Sequence, residues 1–177
     1  MCGQATGWYE EIPELTWEMS GLYAYKVLFQ LWYLPTLTLD ATKNRVLKEV
    51  AKPYNMVFYY IGHGDTLLGH AYLSINAEEG VEVSEISNAV GQNEYQFVFL
   101  NCCLSAKNDH ELGKAFNPDA CMGWEGKPYS FIAAACGYDF FTYASTRVLT
   151  VKQIFDILHV FYNLFGISFW GDGDFKL

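Results

Sequence analysis

The sequence predicts an α/β fold, a mostly parallel sheet flanked by helices on both faces, and three observations carry that reading. Two apolar runs, Met56-Val57-Phe58-Tyr59-Tyr60-Ile61 and Phe97-Val98-Phe99-Leu100, lack the polar alternation of a half-exposed strand, so each reads as a strand covered on both sides. Segments with helical spacing and capping residues lie between and after these runs, so helices and buried strands alternate. At 177 residues, 51% of them apolar, the chain is long enough to bury one full core, and we read residues 1–177 as a single domain.

The elements follow in order. Residues 1–20 hold no apolar run, so this N-terminal segment offers no evident strand. Residues 21–34 are apolar on nearly every face, relieved by Lys26 and Gln30, and predict a buried helix stopped by Pro35. Residues 36–39 are short and β-prone; Asp40 or Thr42 can then cap a helix through Val46, Leu47 and Val50, ended at Lys52-Pro53. Beyond the first buried strand, residues 71–75 predict a further strand or hairpin arm, and residues 83–90 a helix beginning at Ser84. After the second buried strand come a helix around residues 111–116 and a short buried strand at residues 120–124. Two helices follow at residues 129–143 and 151–165, the latter capped by Thr150. A turn and a short terminal strand close the chain at residues 169–177.

Charge and composition exclude several functions. Twenty acidic against eleven basic side chains give a formal charge of -9, and Arg45 and Arg147 are the two arginines, a poor supply for a phosphate-binding face. Nucleic acid is therefore not expected as a partner. The first residues lack the basic stretch and apolar run of a secretory signal, and residues 154–170 are interrupted by Asp156, His159 and Asn163, so a cytoplasmic protein without a membrane span is expected. Five cysteines without a C-x-x-C pair predict reduced thiols rather than a disulfide or zinc framework.

In open parallel sheets, ligands and catalytic groups collect beyond the carboxyl ends of the strands. Here the first buried strand runs into Gly62-His63-Gly64-Asp65 and the second into Asn101-Cys102-Cys103-Leu104-Ser105. Two parallel neighbours would present an imidazole and a thiol to one crevice, with His63 as general base and Cys103 as nucleophile. The glycines let the backbone approach a substrate, and the N–H groups of Gly64 and Cys103 can donate to an oxyanion. Alternation along the strand sends Cys102 to the opposite face from Cys103. Such a site needs no metal and no organic cofactor.

These residues resemble the caspase, legumain, clostripain and gingipain peptidases. In that clan a hydrophobic block ends in His-Gly and a second ends in a small or polar pair followed by Cys. The 40 positions between His63 and Cys103 are similar to the clan's spacing. Ala115-Phe116 leading into a strand that closes with Gly123-Trp124, and the terminal Gly171-Asp172 before a hydrophobic strand, resemble the gingipain-like branch over residues 21–177. Asn101-Cys102-Cys103-Leu104-Ser105 departs from the Gln-Ala-Cys block of eukaryotic caspases. The resemblance implies a caspase-like three-layer sandwich and a cysteine-type endopeptidase acting on peptide or protein substrates through a covalent acyl-enzyme. It further implies that Trp124 helps wall the pocket for the residue before the cut bond. Asp65 and Glu125, just past the motif glycines, line the substrate cleft in this reading, and a basic or small residue is expected in the pocket. The clan's first strand has no counterpart in residues 1–20, which together with the apolar 21–34 segment predicts a homo-oligomer or a remnant of a longer polypeptide.

Other chemistries fit less well. A Cys-x5-Arg phosphatase needs arginine where Asn108 and Asp109 stand. A metallohydrolase could recruit His63, Asp65, His70 and Asp109, but the dense His-x-His-x-Asp-His pattern is missing. A disulfide between adjacent Cys102 and Cys103 is strained. A catalytically latent caspase-like module used for protein interaction stands as the alternative to an active peptidase.

Overall fold

The computed structural model describes residues 2–3, 37–38, 42–53, 56–75 and 79–177. Its centre is a four-stranded sheet of β3 (Val57–Ile61), β7 (Tyr95–Asn101), β8 (Pro118–Trp124) and β9 (Ile167–Gly171), in that order. The β3–β7 and β7–β8 pairs are parallel, and β9 runs antiparallel to β8. Four of the five residues of β3 and six of the seven of β7 are buried, as unalternating apolar runs require.

Helices cover both faces, so the mostly parallel sheet is the middle layer of an α/β sandwich. Phe58 and Tyr60 of β3 with Val98 and Leu100 of β7 face one core, shared with α1 (Lys43–Val50), α2 (Val83–Val90) and α3 (Lys107–Lys114). Tyr59, Ile61, Phe97 and Phe99 face the other, against α4 (Ser130–Ser145) and α5 (Val151–Tyr162). That partition is the period of two of a pleated strand read directly in side chains.

Local chemistry sets the helix ends. Thr42 caps α1, its hydroxyl accepting from the Arg45 N–H, and Val46 and Val50, one turn apart, are the buried stripe. Glu82 and Glu85 form a capping box that starts α2 at Val83, and Thr150 with Gln153 forms another that starts α5. Along α4, Cys136, Phe140 and Ala144 repeat every four residues and meet the sheet, with the Phe140 ring stacked on Phe97.

Three elements depart from the sequence reading. His63 begins a strand that the sequence did not predict: β4 (His63–Leu67), β5 (His70–Ser74) and β6 (Gly80–Glu82) form a separate antiparallel sheet over the α1–α3 side. The terminal strand ends at Gly171 instead of following Gly171-Asp172: β9 pairs with β8, and residues 172–177 form no strand. At the other end, β1 (Cys2–Gly3) pairs in parallel with β2 (Leu37–Thr38) and lies beside β3. A short strand is therefore present within residues 1–20, where none was expected. The helix expected over residues 21–34 lies outside the described residues. Among the described residues, no helix is long and apolar enough to cross a membrane.

Candidate active site

The site is built by register. In the β3–β7 pair Ile61 lies opposite Asn101, so the residues just past the two strand ends, Gly62-His63 and Cys102-Cys103, emerge side by side. Both His63 and Cys103 line one cavity of about 200 Å³, together with Ile61, Gly62, Asn101 and the start of α4. Gly64 makes this proximity possible. A Cβ there would stand 2.2 Å from the Cys103 carbonyl oxygen and 3.0 Å from the Cys102 sulfur, so only glycine lets β4 cross the end of β7 so closely. The fully buried Tyr60 holds the same junction, its hydroxyl donating to the carbonyls of His63 (3.3 Å) and Ser74 (3.2 Å).

The turn after the nucleophile candidate is strained and tied down. Leu104 adopts the left-handed region with φ 60°, sparsely populated for a side chain of this kind. Its N–H donates to the Gly126 carbonyl at 2.8 Å. The buried Ser105 hydroxyl reaches the carbonyls of Leu100 (2.7 Å) and Cys102 (2.8 Å), and accepts from the Trp124 N–H at 3.0 Å. Asn101, also buried, spends its amide on the scaffold: Nδ2 donates to Tyr59 Oη and the Ala133 carbonyl, both at 2.9 Å, and Oδ1 accepts from Trp124 Nε1 at 2.8 Å. These bonds lock the end of β7 to β8 and to α4, so the thiol is presented from a rigid frame.

The two cysteines differ sharply. Cys102 is buried in the core on the α1–α3 side, and burial pushes its thiol far up. Cys103 is half-buried. Burial raises its thiol too, while the Lys127 ammonium works against that rise and Asp65 adds to it. Its own backbone N–H also favours the thiolate. Burial lowers the pKa of His63, whose Nε2 is enclosed, so at neutral pH the pair rests as imidazole and thiol. No protein-family model matches this chain, and no curated protein does. The resemblance to caspase-type peptidases therefore rests on the motif residues themselves.

The remaining candidates divide. Asp65 stands on β4 at the rim, its carboxylate 3.3 Å from Lys127 and held below the ordinary range first by the Thr66 N–H. Glu125 is exposed where β8 ends, its N–H donating to the Gly166 carbonyl. Trp124 is a correction: it is fully buried between the sheet and α5, with its ring N–H satisfied by Asn101, and it does not line the cavity. The place expected for it is taken by Pro128, Ser130, Ala133 and Ala134. His70 pairs with Glu111, and Asp109 with Lys114, so neither joins His63 and Asp65. Among the described residues, no three His, Cys, Asp or Glu side chains gather as metal ligands. The residues that sequence reasoning missed are Lys127 and the α4 wall. The carboxyl-end rule, applied to β8 as well as to β3 and β7, would have brought residues 125–128 to the same edge.

Proposed function

We propose that the chain is a cysteine-type endopeptidase of the caspase and gingipain kind, with Cys103 as nucleophile and His63 as general base. The observation that carries this reading is the matched ends of two adjacent parallel strands, which deliver both side chains to one cavity. The chemistry then balances without a cofactor. His63 takes the thiol proton as the sulfur of Cys103 bonds to the scissile carbonyl carbon, and the resulting oxyanion is met by the N–H groups of Cys103 and Gly64. The imidazolium returns the proton to the leaving nitrogen as the C–N bond breaks. Water, deprotonated by the same imidazole, attacks the thioester and releases the acid and the free thiol.

One observation favours the latent interaction module instead: burial raises the Cys103 thiol, so little thiolate stands ready before a substrate arrives. A fluorogenic peptide library with Arg, Lys, Ala or Asp before the cut bond separates the two readings. The reduced protein is expected to turn over at least one member, unaffected by chelator, and to lose turnover in His63→Ala. Iodoacetamide is expected to mark Cys103 ahead of Cys102, faster in the parent protein than in His63→Ala. Absence of turnover across the library, in protein whose Cys103 is reduced, would favour the latent module over the peptidase.

A further inference from the structure

The cavity beside Cys103 carries information about what it admits, and this inference rests on the peptidase reading above. Among the described residues, no Asp, Glu, Lys or Arg lines it. Its walls are Ile61 and Gly62 from the end of β3, Pro128 from the following loop, and Ala133 and Ala134 from α4. The polar groups that do line it are largely committed. The Asn101 amide is bonded to Tyr59, Ala133 and Trp124, the buried Cys102 stays an uncharged thiol, and His63 and Cys103 belong to the chemistry. Ser130, the first residue of α4, is left as a neutral hydroxyl.

The nearest charges, Asp65 and Lys127, stand at the rim and pair with each other at 3.3 Å, their side chains about half exposed. A charged side chain entering the cavity would leave water without meeting a counter-charge, which is costly. Size sets the other limit. A dry cavity of roughly 150 Å³ holds a benzene molecule, so the 200 Å³ here takes one aliphatic side chain with the carbonyl behind it.

We propose that this cavity receives an uncharged aliphatic side chain, in the range from alanine to leucine, immediately before the bond to be cut. It discriminates against arginine, lysine, aspartate and glutamate. Of the basic or small preference expected from the sequence, the lining chemistry keeps the small half and drops the basic one. Ala133 and Ser130 set the depth and the charge of the cavity.

Peptidyl chloromethyl ketones test this separately from turnover. The Cys103 sulfur bonds to the methylene carbon, the C–Cl bond breaks, chloride leaves and the thiol proton passes to His63. Reagents ending in Ala, Val, Leu, Arg, Lys or Asp are compared by their rate of Cys103 modification, read by mass spectrometry. The aliphatic members are expected to react at least roughly tenfold faster than the charged ones. The exposed variant Ser130→Asp places a carboxylate at the wall and is expected to raise the Arg and Lys rates relative to Leu. Ala133→Leu is expected to slow the Leu reagent more than the Ala reagent. Equal rates across the parent series, or fastest modification by Arg, Lys or Asp, would overturn the inference while leaving the peptidase reading intact. Aliphatic selectivity in labelling without turnover of any peptide would uphold the cavity assignment and sink the peptidase reading.

Discussion

Two places among the described residues bring a histidine near a cysteine, and they share residue types but little else. At the ends of β3 and β7, His63 and Cys103 line an open cavity and are both partly exposed. Between α3, β8 and β9, His110 and Cys121 are sealed: the imidazole is buried, with Nδ1 3.6 Å from the Cys121 sulfur and Nε2 2.9 Å from Ser168 Oγ. Burial dominates the sealed pair over the nearby charges of Asp109 and Lys114, pushing the thiol up to about 12 and the imidazole down to about 4. At the open pair the thiol is only half-buried; burial raises it and the Lys127 ammonium opposes that rise, as Lys114 does at Cys121. A histidine near a cysteine is thus a satisfied piece of core in one place and a candidate dyad in the other. What separates them is access and the strand end, not the residues.

The largest way to test that contrast is to remove each sulfur in turn. Cys103→Ala is expected to abolish peptide turnover, by at least about a thousandfold, because the nucleophile has no substitute. Cys121→Ala should leave kcat/KM within about twofold and instead cost stability. Its sulfur fills the tight gap between α3 and β8, where a Cβ on Gly113 would already meet it at 2.8 Å. Losing one buried heavy atom there costs about 1 kcal/mol, measurable by urea unfolding. Equal effects of the two substitutions on turnover would erase the distinction between the pairs.

The sealed pair also makes the protein acid-sensitive, with a definite sign. His110 titrates near 6.5 in the unfolded chain and near 4 when folded, because desolvation outweighs the favourable fields of Asp109 and Glu125. Between these values the unfolded state holds a proton that the folded state refuses, so stability is full above pH 6.5 and falls as pH drops toward 4. Integrated over that window the loss is on the order of 3 kcal/mol. His63, lowered by the same cause, adds in the same direction. Unfolding midpoints at pH 7 and pH 5 should differ more in the parent protein than in His110→Gln. An unchanged difference would place the acid sensitivity elsewhere.

The contrast between the pairs was partly legible in the sequence. The unbroken apolar runs ending at Ile61 and Leu100 marked the adjacent parallel strands β3 and β7, and the strand-end rule pointed at His63 and Cys103. Alternation groups Cys102 with Val98 and Leu100 in the buried core, although Cys102 also borders the cavity that His63 and Cys103 line. The second arm of the β4–β5 hairpin was legible as a strand or hairpin arm at residues 71–75, but β4 was not, because the two-residue turn between them is Leu68-Gly69, with φ of 52° and 88°. Leucine is not a residue that announces a left-handed turn, so the Leu67-Leu68 pair gave no break. Trp124 was misplaced for another reason. Its motif position says which strand it ends, but the pleat decides whether it faces cavity or core, and Asn101 is the partner that fixes it inward. The sealed pair left no signal at all, since Cys121, His110 and Ser168 come together only through the β8–β9 pairing and the left-handed stretch from Asn108 to His110.

The smallest effect lies at the rim of the open pair and sharpens what distinguishes it. Lys127 and Asp65 act on the Cys103 thiol with opposite signs, the ammonium favouring the thiolate and the carboxylate opposing it. Because both are about half exposed, solvent screens them and each contributes only a modest shift. Asp65→Asn removes the opposing charge and leaves Lys127 acting alone, so the thiolate fraction at pH 7 should rise. Lys127→Ala does the reverse. Iodoacetamide modification of Cys103 at pH 7 should accelerate by between about twofold and fivefold in the first variant and slow by a similar factor in the second. Both changes should shrink as salt is raised, because the charges lie at the surface. The rate–pH profile locates the cause: its alkaline midpoint should move down for Asp65→Asn and up for Lys127→Ala. The acid-side midpoint set by His63 should remain below the ordinary histidine range in both, since burial governs it. Rates that change with no movement of the alkaline midpoint would mean that Asp65 and Lys127 act by shaping the rim rather than through their charge.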